Sequence, residues 1–453
     1  MSLLPLGIGL LLAAASPGAN TPGCRIAPTS FEGWSAQELS NSRLRLTFVP
    51  QLGGRLMQLT FDGHPFLFVN PKYKGRYIPP SEAKGNWINY GGDKLWPMPE
   101  GRGDDQHWPG PVSDVLDDGE YDFHIVSQGD TCTVRLQGPA DPDTGLQYTR
   151  EVTIDSMAPE ISFRAVMTNA SRHPIRWSIQ SVTQYDTADQ QRPETYNRNF
   201  WAFAPLNASS AYFGGYHVRS GLADDPSYSA KDGMFSLHWT YLENEVWLDS
   251  TAGWLAVVDS DSGYGIVERT KYAAGAEYPG NASLIFYKNG AALELDDRGM
   301  PVVRSSTVSD APFYMEAEIN SPMVSLPPGQ SYSFDTRWSM LRVPVGEPKG
   351  VSSAGVITRS VTAIRSGASI HVTGALGVFF PGELIVRVFD EKGAELTPES
   401  VARVSPATPV DLDRTFTASA TARRIAVHLV NAQDRSDYGS LGEAQITDAG
   451  AGS

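Results

Sequence analysis

Between Asn86 and Trp108 the chain reads NWINYGGDKLWPMPEGRGDDQHW, which sets Trp87, Trp96 and Trp108 among Asn89, Asp93, Lys94 and His107. An indole offers a flat apolar face and one N–H donor. A sugar ring stacks its C–H face on such a surface, while its hydroxyls need paired donors and acceptors. The segment therefore predicts a carbohydrate site lined by Asn89, Asp93, Lys94, Trp96 and Trp108. An apolar loop cluster capping a sandwich would use the same tryptophans but leaves the polar residues without a role. Asp93 and Lys94 are neighbours, so on a strand they point to opposite faces and only one meets a ligand; in a turn both can.

Proton-transfer chemistry has its candidates in Glu316 and Glu318 of Phe313-Tyr314-Met315-Glu316-Ala317-Glu318-Ile319. Residues two apart on a strand share a face, which sets the two carboxylates side by side and sends Met315, Ala317 and Ile319 to the core. Adjacent carboxylates raise one another's proton affinity, a useful property in an acid/base pair. A solvated polar face would show the same spacing. His107, beside Asp104, Asp105 and Trp108, is the histidine best placed to transfer a proton or to bond a sugar hydroxyl. The remaining histidines lack metal-ligand spacing, and Asp104-Asp105 and Asp117-Asp118 read as solvated turn acids rather than calcium ligands. With no nucleophile elbow, phosphate loop or dinucleotide fingerprint, the sequence calls for no metal and no cofactor.

These residues sit on a chain of 453 residues with 36 basic and 51 acidic side chains, a formal charge of −15. No Lys/Arg-rich run stands out, which argues against a nucleic-acid partner. Short period-two runs recur from Arg43–Val49 through Tyr332–Leu341, and no long 3.6-residue periodicity interrupts them. The predicted organisation is a spacer at 16–30, a predominantly antiparallel β domain at 31–345, and an accessory β-sandwich at 354–448 beyond a Pro/Gly break at 343–350. All ten tryptophans lie at or before Trp338, so an aromatic ligand site belongs to the first domain.

Four segments carry a family resemblance. Gly53-Gly54-Arg55-Leu56, the run Asn89-Tyr90-Gly91-Gly92-Asp93-Lys94-Leu95-Trp96-Pro97, and Met167-Thr168-Asn169-Ala170-Ser171 together resemble the galactose mutarotase-like (aldose 1-epimerase-like) superfamily, and most closely its uncharacterised bacterial branch with a GGDKLWP-type motif. Ser321 to Gln330 resembles the final hairpin of that fold. The resemblance covers about residues 35 to 342 and implies an all-β antiparallel supersandwich whose concave face binds carbohydrate. It also implies a sugar-gripping arginine at Arg76 and a catalytic glutamate at Glu316 or Glu318. The family's histidine has no counterpart in Ile179-Gln180-Ser181-Val182-Thr183-Gln184-Tyr185-Asp186, which departs from an ordinary mutarotase. Opening a hemiacetal ring takes a general acid and a base, so His107 stands in as the proton-transfer partner. The leading expectation is a secreted carbohydrate-binding protein. An active aldose or uronate epimerase or lyase-like enzyme is the second, and a cell-surface structural or interaction protein the third.

Residues 1–15, MSLLPLGIGLLLAAA, form an apolar run ending in an Ala13-x-Ala15 cleavage pattern, shorter than a membrane span and broken by Pro5, Gly7 and Gly9. This predicts a signal peptide, a periplasmic or extracellular protein, and no membrane span after processing. Cys24 and Cys132 can pair in an exported chain or remain buried thiols; the residues before Cys24 match a lipid-anchor box poorly. N-terminal sequencing of secreted material should find a start just after residue 15; an intact Met1 on soluble cytoplasmic protein would refute export.

Overall fold

The computed structural model describes residues 23–101, 107–110, 115–156, 158–291, 293–295, 298, 301–303 and 313–449. The predicted signal segment 1–15 and the Asp104-Asp105 pair lie outside these residues.

Period-two patterning produces two large antiparallel sheets. One has twelve strands, and from its fourth strand to its far edge it runs Arg55–Phe61, Asp93–Met98, Ile175–Asp186, Tyr314–Asn320, Leu284–Lys288, Asn244–Leu248 and His217–Ser220. The other has ten, with Ser331–Arg342 between Tyr264–Thr270 and Glu160–Asn169 near its middle. Leu146–Asp155 shows the causal pattern: Leu146, Tyr148, Arg150, Val152 and Ile154 are buried in alternation with half-buried neighbours. Leu46, Leu59 and Ile179 from the first sheet meet Val152, Phe163 and Trp338 from the second in one continuous core. The chain is thus an all-β antiparallel supersandwich. Among the described residues no helix is long and apolar enough to cross a membrane.

The first strand, Arg25–Phe31, begins inside the segment expected to be spacer and pairs with Trp34–Ser40. It is an edge strand, where Pro28 costs no central ladder bond. The preceding Cys24 is disulfide-bonded to Cys132, so a cross-link spanning 108 residues ties this edge to the ten-stranded sheet. Constraining so long a loop removes conformational freedom from the unfolded chain.

Beyond Gly350 an eight-stranded sheet builds its own core from residues such as Ile370, Val386, Ile425 and Leu441. All its pairings are antiparallel except Gly355–Ser366 against Asp437–Asp448. A separate apolar cluster joins it to the ten-stranded sheet: Val356 and Phe379 pack with Phe203, Ala256, Val258, Val267 and Leu341. On those strands Ala202, Val257, Ile266 and Met340 belong to the main core, so the joining residues occupy the opposite, outer face.

Polar groups meet across the main core behind the strand Asp93–Met98. Asp93 of the first sheet forms an ion pair with Arg150 of the second and accepts a 3.1 Å hydrogen bond from the Thr183 hydroxyl. Nearby, the Tyr185 hydroxyl donates to Glu268 Oε1 at 2.5 Å. Glu268 is fully buried, and burial pushes its carboxyl up to about 8 from an ordinary 4.5, with the Asp93 charge adding to the shift. The folded protein therefore keeps this proton over a pH range in which the unfolded chain has released it, so stability falls as pH rises from about 4.5 to about 8. Glu268→Gln should remove up to about 1.4 kcal/mol per pH unit from that slope. Denaturant titrations at pH 5, 6, 7 and 8 check this; an unchanged slope would show that Glu268 does not hold its proton.

Candidate active site

On the face of the twelve-stranded sheet turned away from the main core, a cavity of about 510 Å³ opens over the central strands. Alternation along Tyr314–Asn320 puts Met315, Ala317 and Ile319 in the core and turns Glu316 and Glu318 into this cavity. Cross-strand register supplies the rest. Glu316 lies between Gln184 and Tyr287, and Tyr287 lies opposite Glu245. Glu318 lies between Val182 and Ile285, and Ile285 lies opposite Trp247. Gln180 sits across from Trp96. Trp87, Met98, Glu100 and Gly101 complete one wall, Arg219 and Ser220 the other.

The aromatic wall is held from behind. Asp117 accepts the Trp96 indole N–H at 2.8 Å through Oδ1 and the Trp87 indole N–H at 3.1 Å through Oδ2. Arg55 pairs with the same carboxylate at 2.7 Å, both side chains being completely buried, and donates to the Gly91 carbonyl at 3.1 Å. The glycine motifs permit this closeness. Gly53 has φ +64°, and a Cβ there would lie 2.0 Å from the Asp117 carbonyl oxygen; at Gly91, with φ +98°, it would lie 2.2 Å from the Phe68 carbonyl oxygen. Asp117 and Asp118 are thus buried, not the solvated turn acids expected from Asp117-Asp118-Gly119. Asp118 is raised to about 8 by burial and by the charge of Asp117.

Electrostatically the cavity is acidic. Glu316 accepts a 2.6 Å hydrogen bond from Gln184 Nε2 and faces the Lys94 ammonium at 3.5 Å; Glu318 accepts one from Gln180 Nε2. Burial, then the charges of Glu316 and Glu245, hold the Glu318 carboxyl well above the ordinary carboxylate range. Glu100 is pushed up to about 7 by the enclosing walls and by Glu245 and Glu316, although much of its side chain meets solvent at the mouth. Lys94, buried beneath the wall 4.5 Å from the Trp96 ring centre, has its ammonium pKa lowered by burial, an effect that Glu316 opposes. A protonated Glu318 beside a Lys94-paired Glu316 can donate and accept protons at adjacent points, as acid/base chemistry on one small ligand requires.

Of the residues expected at the site, Trp96, Glu316 and Glu318 line the cavity and Lys94 lies directly behind it. The others are elsewhere. Asp93 starts the same strand on the opposite face and is committed to Arg150. Asn89 is buried and caps the turn, its Oδ1 accepting from the Gly91 N–H at 3.1 Å. Trp108 packs behind Trp96, ring centres 5.3 Å apart, and is almost fully buried. His107 lies against Gly101 just outside the lining. Arg76 is exposed away from the cavity, its carbonyl accepting the Trp34 indole N–H at 2.8 Å. Sequence reasoning missed Glu100, Arg219, Glu245, Trp247 and Tyr287. Glu245-x-Trp247 carries the same two-residue spacing as Glu316-x-Glu318, and this was the available signal.

Neither a family model nor a curated protein matches this sequence. Solved structures do show likeness. A galactose mutarotase-like protein from Clostridium acetobutylicum is 11% identical with a TM-score of 0.45, over 71% of this chain and all of that one. A galactose mutarotase-like protein from Lactobacillus casei is 11% identical with a TM-score of 0.43, over 67% of this chain and 99% of that one. A TPR-domain containing protein from Parabacteroides distasonis is 13% identical with a TM-score of 0.42, over 68% of this chain and 47% of that one, so this chain spans about half its length.

Asp117→Ala should strand the buried Arg55 charge and both indole donors. The expected cost is about 3–5 kcal/mol. Asp411→Ala, which breaks an exposed pair with Arg359, should cost about 1 kcal/mol or less. Urea unfolding of the two variants checks the contrast; equal costs would mean that Asp117 does not anchor the wall.

Proposed function

We propose that this chain is an exported carbohydrate-binding protein whose ligand sits in the cavity over Glu316 and Glu318. The observation that carries the reading is the pairing of Trp87, Trp96, Trp247 and Tyr287 with hydrogen-bonding side chains around one cavity of about 510 Å³. Such a volume suits a small ligand of one or two rings. Export is supported by the Cys24–Cys132 disulfide, a bond that persists in oxidising compartments. Membership of the mutarotase-like superfamily is part of the same reading, supported by the supersandwich and by the GGDKLWP-type segment that leads into the site.

A catalytic role, sugar epimerisation of the mutarotase type, is the second reading, favoured by Glu318 holding a proton next to Glu316. Glu318 would protonate the ring oxygen while Glu316 or Glu100 takes the anomeric hydroxyl proton. Uronates fit poorly because the lining is already acidic.

Calorimetry against a panel of mono- and disaccharides tests binding. Trp247→Ala should weaken the best ligand by about tenfold, equivalent to ~1.4 kcal/mol. For catalysis, Glu318→Gln should abolish anomer exchange, followed by polarimetry or NMR, while largely sparing affinity. Absence of binding by every saccharide would remove the proposal; binding with unchanged exchange in Glu318→Gln would leave a binding protein only.

A further inference from the structure

Among the described residues, the cavity is lined by more acids than bases. Glu100, Glu245, Glu316 and Glu318 all line it, against Arg219 in the lining and Lys94 just behind. Four carboxylates face two cations, and because burial raises the proton affinity of Glu318, Glu100 and Glu245, these acids share protons and ionise when a cation is set beside them. The imbalance is felt by the acids themselves, since Glu245 and Glu316 raise the proton affinity of Glu100 and of Glu318, and Glu316 raises that of Glu245. In each case burial is the larger cause.

A metal ion does not answer this demand. Among the described residues no three acidic, histidine or cysteine side chains are grouped to hold one. The acids are spread around the walls, with Glu316 and Glu318 on one strand, Glu245 two strands away and Glu100 at the mouth. A cationic ligand that meets several of these acids at once has to be large enough to span them. Glu318 is 6% exposed, and the hydrogen bond described for its carboxylate reaches one oxygen, Oε2, from Gln180.

The walls specify what carries the charge. Indole faces at Trp87, Trp96 and Trp247 attract both the C–H face of a sugar ring and a cation held against them. Cation contacts already exist at this wall, with Lys94 Nζ 5.8 Å from the Trp87 ring centre and the Arg219 guanidinium 5.7 Å from that of Trp247. Gln180 and Ser220 supply neutral hydrogen-bonding groups for hydroxyls. We propose that the saccharide bound here carries a free, protonated amine, making the ligand class a 2-amino-2-deoxyhexose or a short oligomer of one. This rests on the carbohydrate reading above and narrows it.

The test is calorimetry on the full chain at pH 6 with glucosamine and the β-1,4 glucosamine disaccharide, each beside its N-acetylated and its neutral hydroxyl counterpart. n-Butylamine and a uronate serve as controls. A charge-assisted hydrogen bond in a walled site predicts that the free amine binds at least about tenfold tighter than either counterpart. The preference should shrink with added salt, and Glu245→Gln and Glu100→Gln should each reduce it severalfold. Uronate should bind most weakly. If neutral or acetylated sugars bind as well as the amines, the inference fails while the carbohydrate reading stands. Butylamine binding as tightly as the amino sugars would also overturn it, because the charge alone would then account for affinity. If no saccharide of any kind binds, the parent reading falls and takes this one with it. The wild-type comparison of amine with neutral and acetylated sugars decides the matter even if neither variant folds.

Discussion

Arg55 and Asp117 form an ion pair from which water is wholly excluded, and the site is arranged around it. Taking two charges out of water is costly, and the cost is recovered only if every remaining lone pair and N–H finds a partner. Here Gly91 contributes a carbonyl, while Trp87 and Trp96 contribute their indole N–H groups, so that most of the pair is satisfied and, among the described residues, Arg55 Nε alone of its side-chain nitrogens is left without a hydrogen bond. One carboxylate thereby joins three stretches of sequence: the Gly53-Gly54-Arg55 turn, the tryptophan-rich segment and the acidic turn at Asp117. The orientation of the aromatic wall and the satisfaction of a buried charge are the same set of contacts. Any change that relaxes one disturbs the other.

A second buried ionic contact ties the layers together. Asp93 meets Arg150 across the sandwich, at the start of the strand that also carries Lys94 and Trp96. Apolar packing between two sheets tolerates sliding, whereas a buried pair has one satisfactory position. A register slip of one residue would turn Asp93 outward and Lys94 into the core. The pair therefore ties the strand's register, and with it the face on which Trp96 appears.

What could be read from sequence follows the range of the interactions involved. Period-two alternation is local, so the division of Met315, Ala317 and Ile319 from Glu316 and Glu318 was legible, as was the all-β architecture. Alternation also states that Asp93 and Lys94 diverge, but which one faces the core depends on Arg150, some 57 positions later in the chain. Glu245, Trp247, Tyr287 and Arg219 enter the cavity through strand order, which places Leu284–Lys288 beside Tyr314–Asn320 and Asn244–Leu248 and His217–Ser220 successively further out. No local pattern encodes that order. Asp117 is the sharpest case, since an Asp-Asp-Gly turn looks solvated unless the arginine that buries it is known. The edge strand at Arg25–Phe31 was masked for a related reason, because its Pro, Thr and Ser are loop residues by composition and become a strand only by pairing with Trp34–Ser40.

The sandwich has two outer faces, and the chain treats them differently. One holds the cavity; the other, bearing Phe203, Val258, Val267 and Leu341, lies under the C-terminal sheet through Val356 and Phe379. The C-terminal sheet is therefore a cover as well as an appendage, and it lies on the flank opposite the ligand. A shortened chain ending near residue 345 would keep every group that lines the cavity and yet expose a greasy flank to solvent. Such a fragment would be expected to stick to itself by that flank, so poor solubility in a trimmed form would report the loss of this cover and say nothing about the integrity of the binding face.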